Sequence, residues 1–369
     1  MKHAAFSGML LFASAVVALI WANSPAGASY VRLWHYPMLG ETVGHWVNDG
    51  LMTLFFLLVG LEIKREILVG ELASIKRAAL PLFGAVGGMV VPALCFAFLA
   101  RGTPASAGWG VPMATDIAFA LGVVTLLGSR VPPALKVFLV ALAIVDDIGA
   151  VLVIALFYTA EINVAAIAAV CALVGALVVC NRIRIRSPLP YLLIGALLWY
   201  AVLRSGVHAT IAGVLLAMVI PADGEDAPLL RIERVLHAPI SYGVMPLFAL
   251  ANAGVQLPAS LVPLLLEPAA LGTAVGLVLG KPIGILSATW IAVRLRIAEL
   301  PPATALPSLI GVAALGGIGF TMSLFIAALA FGEGEQLTAA KVGVIGGSLI
   351  AGVLGSALLL TRPRSAGVD

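Results

Sequence analysis

Charge is what this sequence lacks. Only 11% of its 369 residues are Asp, Glu, Lys or Arg, while 62% are apolar. Soluble domains carry about a quarter charged residues. No stretch here is polar enough to fold alone, which excludes the two or three soluble domains that the length would otherwise suggest. Cysteine is scarce as well. Cys95, Cys171 and Cys180 sit in apolar stretches with neither metal-ligand spacing nor a disulfide pattern, and read as packing thiols. No Gly-x-x-x-x-Gly-Lys-[Ser/Thr] loop occurs, which argues against a nucleotide-driven pump. The net charge of +3 is small and gives no sign of a nucleic-acid partner.

What is there is apolar helix. A bilayer core takes about 20 apolar residues per helix. Twelve candidate spans lie near 5–22, 44–63, 79–100, 109–127, 134–158, 162–180, 188–204, 206–221, 235–254, 269–293, 307–331 and 341–361. The first run is long for a signal-peptide core and follows a single lysine before Phe6, so it reads as a retained span. The fold class expected is therefore an all-α multispanning membrane protein in a single domain over 1–369.

The basic residues orient it. With twelve spans, one side receives Lys2, Lys64, Arg65, Lys76, Arg77, Arg130, Lys136, Arg182, Arg184, Arg186, Arg231, Arg234, Arg294, Arg296, Arg362 and Arg364. The other receives only Arg32, Arg101, Arg204 and Lys341. Both termini are thus expected in the cytoplasm. Small residues recur every fourth position at Gly272, Gly276, Gly280 and Gly284 and again at Gly343, Gly347, Ala351 and Gly355, a pattern that lets helices approach closely.

The informative residues are the charges inside spans: Asp116, Asp146, Asp147 and Lys281. Each costs at least ~2.5–3.5 kcal/mol on insertion scales, or about 10 kcal/mol together. One Asp–Lys pair could be structural glue, but two surplus acids are not explained that way. Asp146 and Asp147 are neighbours on one helix and point about 100° apart. One can pair with Lys281 while the other faces a water-filled cavity. Burial and nearby like charge favour a protonated carboxylate, whereas a close lysine favours the ionised one. A site balanced between these holds either a proton or a hard cation, which is the simplest basis for antiport.

Two spans also look broken. Pro112 and the Thr115–Asp116 pair interrupt the fourth, and Gly316–Gly317–Ile318–Gly319 the eleventh. Unwound backbone at membrane depth is tolerated only where buried or lining a cavity. Broken helices at corresponding places in two halves mark an inverted-repeat transporter, here with repeats over 79–158 and 269–361. Asp116 suits facing helix N-termini, and Lys281 suits facing C-termini.

Longer motifs carry a resemblance. They are Asn-Asp-Gly-Leu-Met at 48–52, Phe-Phe-Leu-Leu-Val-Gly-Leu-Glu at 55–62, Ala-Thr-Asp-Ile-Ala-Phe-Ala-Leu-Gly at 114–122, Asp-Asp at 146–147, Ser-Gly-Val-His-Ala-Thr at 205–210, Gly-Lys-Pro at 280–282 and Gly-Ile-Gly-Phe-Thr-Met-Ser at 317–323. Over nearly its whole length the chain resembles the bacterial NhaA-type sodium/proton antiporters. These are themselves an inverted-repeat family, so the repeat reading is not independent of the resemblance.

The resemblance implies twelve spans with crossed, broken fourth and eleventh helices. It implies residence in the bacterial inner membrane and electrogenic exchange of two protons for one Na+ or Li+. Asp147 becomes the prime cation ligand, with Asp146 and Thr115 contributing and Asp116 beside them. Asp146 alternately bonds and releases Lys281. No cofactor is implied; the metal ion is cargo. Activation by rising pH is implied, with Glu62, Glu66 and Glu233 matching the sensing region and His208 another pH-linked position. Arg234 stands where a histidine is expected, so the pH profile should differ. The segment 23–43 is short, so a homodimer would form without the usual external hairpin.

Two other classes compete. A cation channel needs a continuous conducting pore, whereas these acids are few, clustered and paired with a lysine. An intramembrane aspartyl protease could use Asp116 and Asp146 as its dyad, and Pro-Ala-Leu occurs at 92–94 and 133–135, but the Gly-x-Gly-Asp context is missing.

Overall fold

The computed structural model describes residues 2–361 except 160–161, 225, 259 and 301–304, with side chains from residue 5 onward. The C-terminal basic residues Arg362 and Arg364, and the side chain of Lys2, lie outside the described residues. The chain is helical almost throughout: α1 (Lys2–Ala22), α2 (Met52–Val69), α3 (Ile75–Leu99), α4 (Ile117–Leu127), α5 (Pro133–Phe157), α6 (Val164–Arg182), α7 (Pro188–Leu203), α8 (Ile211–Val219), α9 (Pro228–Asn252), α10 (Pro268–Arg294), α11 (Leu306–Gly316), α12 (Phe320–Phe331) and α13 (Glu335–Leu360).

Among the described residues, seven helices are long and apolar enough to cross a bilayer, and two bent pairs bring the total to nine. Length and composition do not reach the twelve spans counted on the sequence. The shortfall has local causes. α2 carries Glu62, Lys64, Arg65 and Glu66 in its second half. α7 is 16 residues long. The expected span over 206–221 is helical only from Ile211, because Gly206 turns the chain with φ 86°.

Two sets of three elements make the centre. One is α3, a 3-10 segment over Pro104–Met113 leading into α4, and α5; the other is α10, the α11–α12 pair, and α13. The middle element of each is bent, by 43° and 44°. The glycine stripes bring α10 onto α3 across the two sets and α13 onto α10 within the second. A Cβ on Gly284 would strike the backbone of Gly87 on α3, one on Gly280 would meet Pro92, and one on Gly343 would meet Ala270. With lipid outside, such close backbone contact substitutes for hydrophobic drive between helices. α6, α7 and α8 form a second core with one side of α2 and the start of α9, and Gly213 of α8 packs on the backbone of Thr53 and Leu57 on α2.

Three short π-helical stretches, Trp46–Leu51, Ile240–Val244 and Gly276–Gly280, lie within longer helices. Such bulges turn side chains off the regular helical face and concentrate at functional positions. One carries Asp49, and another immediately precedes Lys281.

The segment 23–43 corrects an expectation. It contains a short helix over Gly27–Trp34 and a minimal antiparallel hairpin, β1 (Pro37–Met38) with β2 (Glu41–Thr42). Leu39 and Gly40 both have positive φ, 54° and 89°, as a tight two-residue hairpin turn requires. Leucine is a poor marker of that turn, so the sequence concealed it.

Gly284→Val should disrupt the α3–α10 contact. The expected loss is about 1–3 kcal/mol from overpacking, read as a lower melting temperature of the purified protein; an unchanged melt would mean that the backbones are not in contact there.

Candidate functional site

The two breaks lie against each other. Ala114–Asp116 is extended, and the Asp116 amide donates to the Ile318 carbonyl across the gap at 2.7 Å. Ser323 Oγ donates to the Val111 carbonyl at 2.7 Å. Each break thus supplies partners for the other's unwound backbone, which a bilayer interior would otherwise leave unpaired.

Asp116 caps both returning half-helices. Its Oδ1 accepts from the Phe119 amide at 2.9 Å at the start of α4. Its Oδ2 accepts from the Thr321 amide at 3.0 Å and the Thr321 hydroxyl at 2.5 Å at the start of α12. The carboxylate therefore sits at the positive ends of two helix dipoles. The opposite ends of the breaks are met by donors. Lys281 Nζ donates to the Met113 carbonyl, where the 3-10 segment ends. Thr115 Oγ1 lies 2.9 Å from the Gly316 carbonyl, where α11 ends, and 2.6 Å from Asp146 Oδ2. One hydroxyl proton serves one of these acceptors at a time.

α5 carries the paired acids. Asp146 Oδ2 is 2.7 Å from Lys281 Nζ, and both side chains are fully buried. Asp147, the next residue, points elsewhere. It lines a cavity of about 240 Å³ together with Asp116, Glu62, Glu66, Thr321 and Arg65. The second oxygen of each α5 acid, Asp146 Oδ1 and Asp147 Oδ1, is buried without a hydrogen-bond partner. A buried acceptor of this kind is costly unless a proton or a cation fills it. In this arrangement Asp146 has Lys281 as its counter-ion, whereas Asp147 has no fixed partner for the oxygen that faces no donor.

The other residues singled out on the sequence divide between two places. Glu62 lines the Asp147 cavity. At its mouth Arg65 bridges Glu66 and Glu233, at 3.1 Å to each. Arg234 is exposed. In the loop before α9, the Arg231 guanidinium holds the Asp226 carboxyl below its usual range, and Arg234 adds to the effect. His208 is not part of this group. It packs against Phe325, about one turn further along α12 than Met322, and lines a different cavity.

Sequence reasoning passed over several participants. Thr321, Arg65 and the Met113 and Gly316 carbonyls had no signal as ligands before the chain was folded. Asp49 had one, a carboxylate within a predicted span, but stood only as part of a motif.

The Na+/H+ antiporter 1 family model matches residues 1–359. The chain belongs to this family. It is 51% identical to the Na(+)/H(+) antiporter NhaA of Mesorhizobium japonicum over 98% of this chain and 93% of that protein. The corresponding figures are 50%, 98% and 96% for the Na(+)/H(+) antiporter NhaA of Bordetella parapertussis, and 50%, 100% and 92% for that of Caulobacter vibrioides. As a member of the Na+/H+ antiporter 1 family the chain is a multispanning secondary Na+/H+ exchanger of the bacterial inner membrane, not an enzyme. Neither the channel nor the aspartyl protease reading is favoured.

Two measurements probe the site. Thr321→Val removes a hydroxyl bond to a buried carboxylate and should cost roughly 1–3 kcal/mol, seen as a lower melting temperature; no change would mean that the hydroxyl does not hold Asp116. Arg234→His places a group titrating near pH ~6.5 beside the Glu233–Arg65 pair. The pH profile of exchange should shift. An unmoved profile would leave Arg234 as a solvated surface charge.

Proposed function

We propose that Asp147 is the residue at which Na+ or Li+ and protons compete. The observation that carries this is the division of labour on α5: Asp146 is held by Lys281 at 2.7 Å, whereas Asp147 faces the cavity with an unpartnered oxygen. Hard cations take several oxygen ligands. Asp147, Asp146 and the Thr115 hydroxyl, with water or backbone carbonyls, would make such a set once Asp146 and Thr115 turn from Lys281 and Gly316 toward the cavity that Asp147 lines. A cation binds when Asp147 is ionised and leaves when a proton takes its place, so one site serves both ions and cannot hold them together.

Asp146 and Lys281 complete the charge balance. A proton on Asp146 weakens its hold on Lys281, and an ionised Asp146 restores it. Exchange of more than one proton per cation, and so electrogenic transport, follows if both α5 acids release protons in the cycle. The acids titrate as a coupled set. The transported ions are cargo, and this reading requires no resident cofactor.

The Asp147 cavity reaches the surface beside Arg65, Glu66 and His237, near the basic cluster of Lys64, Arg65, Lys76 and Arg77. By the distribution of basic charge that face is cytoplasmic, as are both termini. Glu62, Glu66 and Glu233 at its mouth are the groups that would respond to cytoplasmic pH. The two central sets, over 79–158 and 269–361, read as inverted repeats whose middle helices cross at the site. A homodimer is compatible with an exposed hairpin at the opposite face.

The test is Na+-triggered proton release from acid-loaded proteoliposomes, scanned from about pH 6 to about pH 9. Exchange should rise with pH in the wild type and vanish in Asp147→Asn, because the amide has no charge to trade. Wild-type rates in that variant would remove Asp147 from the site.

A further inference from the structure

The second cavity has no part in the mechanism above. Its volume is about 760 Å³, and it opens beside the hairpin. Buried rings stand between it and the Asp147 cavity. Phe325 packs between Phe56, with centroids 5.5 Å apart, and Phe248, at 6.2 Å. Along α12, Met322 lines one cavity and Phe325 the other.

Groups of both charge signs line this second cavity, from several elements. Asp49 comes from the π-helical stretch before α2, Lys341 from the second turn of α13, and Glu333 from the turn before it. Three imidazoles, His35, His45 and His208, complete the set. Asp49 has a partner in His45, at 3.4 Å, and Glu333 has one in His35, at 3.6 Å. Lys341 has none. Among the described residues its ammonium makes neither a hydrogen bond nor an ion pair, and Glu333, 88% exposed at the rim, acts on it only through space. A lysine at the edge of a spanning helix is expected to be paired or to extend into bulk water. This one is half-buried and opens into the cavity. Structural glue does not explain it, because it binds nothing.

We propose that Lys341 sets, by its charge, how tightly the external face of the protein holds a cation. A cleft with low-dielectric walls focuses the field of the charges that line it. The ammonium offsets the Asp49 carboxylate and lowers the local concentration of cations in the cavity. A cation released on this side is driven off, and Na+ in a salty medium inhibits export less. Protons arriving from outside meet the same field. The equilibrium of exchange is untouched; what changes is the occupancy of the outward-facing state. Lys341 is a positioning residue that acts through space, since an ammonium cannot ligate a cation. The inference rests on Na+/H+ exchange and on the hairpin face being external. It needs nothing from the Asp147 cavity beyond the aromatic barrier.

The test uses the full chain in proteoliposomes with the hairpin face outward and the pH of each side held fixed. The apparent KM for external Na+ is measured at low ionic strength. Lys341→Gln should lower it roughly two- to fivefold, the effect of a unit charge across several ångströms of partly aqueous space. Lys341→Glu should lower it further, and Lys341→Arg, which keeps the charge, should hold the wild-type value. The KM for cytoplasmic Na+ should stay the same in all three, which also reports that they are folded. Choline chloride at about 0.3 M shortens the Debye length below ~8 Å and should bring the Lys341→Gln and wild-type values together. Li+ should follow Na+ by the same factor, because a field acts on charge alone. Equal KM values in the wild type, Lys341→Gln and Lys341→Glu would overturn the inference. So would a changed ratio of the Na+ and Li+ values, which would make position 341 a contact of the ion. A shift confined to the opposite face would overturn the external assignment and the inference with it, and would leave the Asp147 reading, which Asp147→Asn tests, as it stands.

Discussion

A carboxylate inside a bilayer has to be neutralised from within the protein, and the way Asp116 meets this demand organises the centre of the molecule. It accepts from the backbone at the start of α4 and from the backbone and hydroxyl at the start of α12. One side chain therefore satisfies the exposed N-termini of two broken helices and fixes them against each other. The complementary ends are met by Lys281 at Met113 and by Thr115 at Gly316. An isolated break in either helix would strand polar backbone in lipid. Together the breaks are self-sufficient, and the chain gains a pocket of polar groups at membrane depth.

The proposed exchange chemistry builds on that construction. Lys281 already has a carbonyl and Asp146, so Asp147 remains the acid without a fixed partner. The small-residue faces of α3 and α10 bring Lys281 this close: with Gly87 against Gly284, the helix carrying the lysine lies directly on its neighbour. Packing between glycines and the charge balance of the site are thus one design. The aromatic cluster at Phe325 then divides the polar interior into two compartments, each with its own acid, Asp147 on one side and Asp49 on the other.

Much of this was legible before folding, for energetic reasons. The cost of a charge in lipid makes Asp116, Asp146, Asp147 and Lys281 conspicuous in so apolar a chain, and Pro112 and Gly316–Gly319 announce the breaks between them. The hairpin was hidden because Leu39 is an unusual residue for its turn. The span count was less legible. α2 mixes four charges into its apolar sequence and α8 has only nine helical residues, so burial against neighbours, not hydropathy, keeps them in place.

By itself the sequence determined that the chain lives in a membrane, that three acids and one lysine lie inside it, and that two helices are interrupted. Those conclusions rest on the cost of transferring charge and unpaired backbone into hydrocarbon, a cost set by residue type and local spacing. Only the tertiary structure decided which aspartate meets Lys281, that Asp116 serves two helix ends, and that His208 and Asp49 belong to a separate compartment from Glu62 and Glu233. These depend on side-chain direction and on contacts between residues as far apart as Asp116 and Thr321. No periodicity along the chain encodes them, because helix packing and local π-helical turns set the angle at which each side chain enters the site.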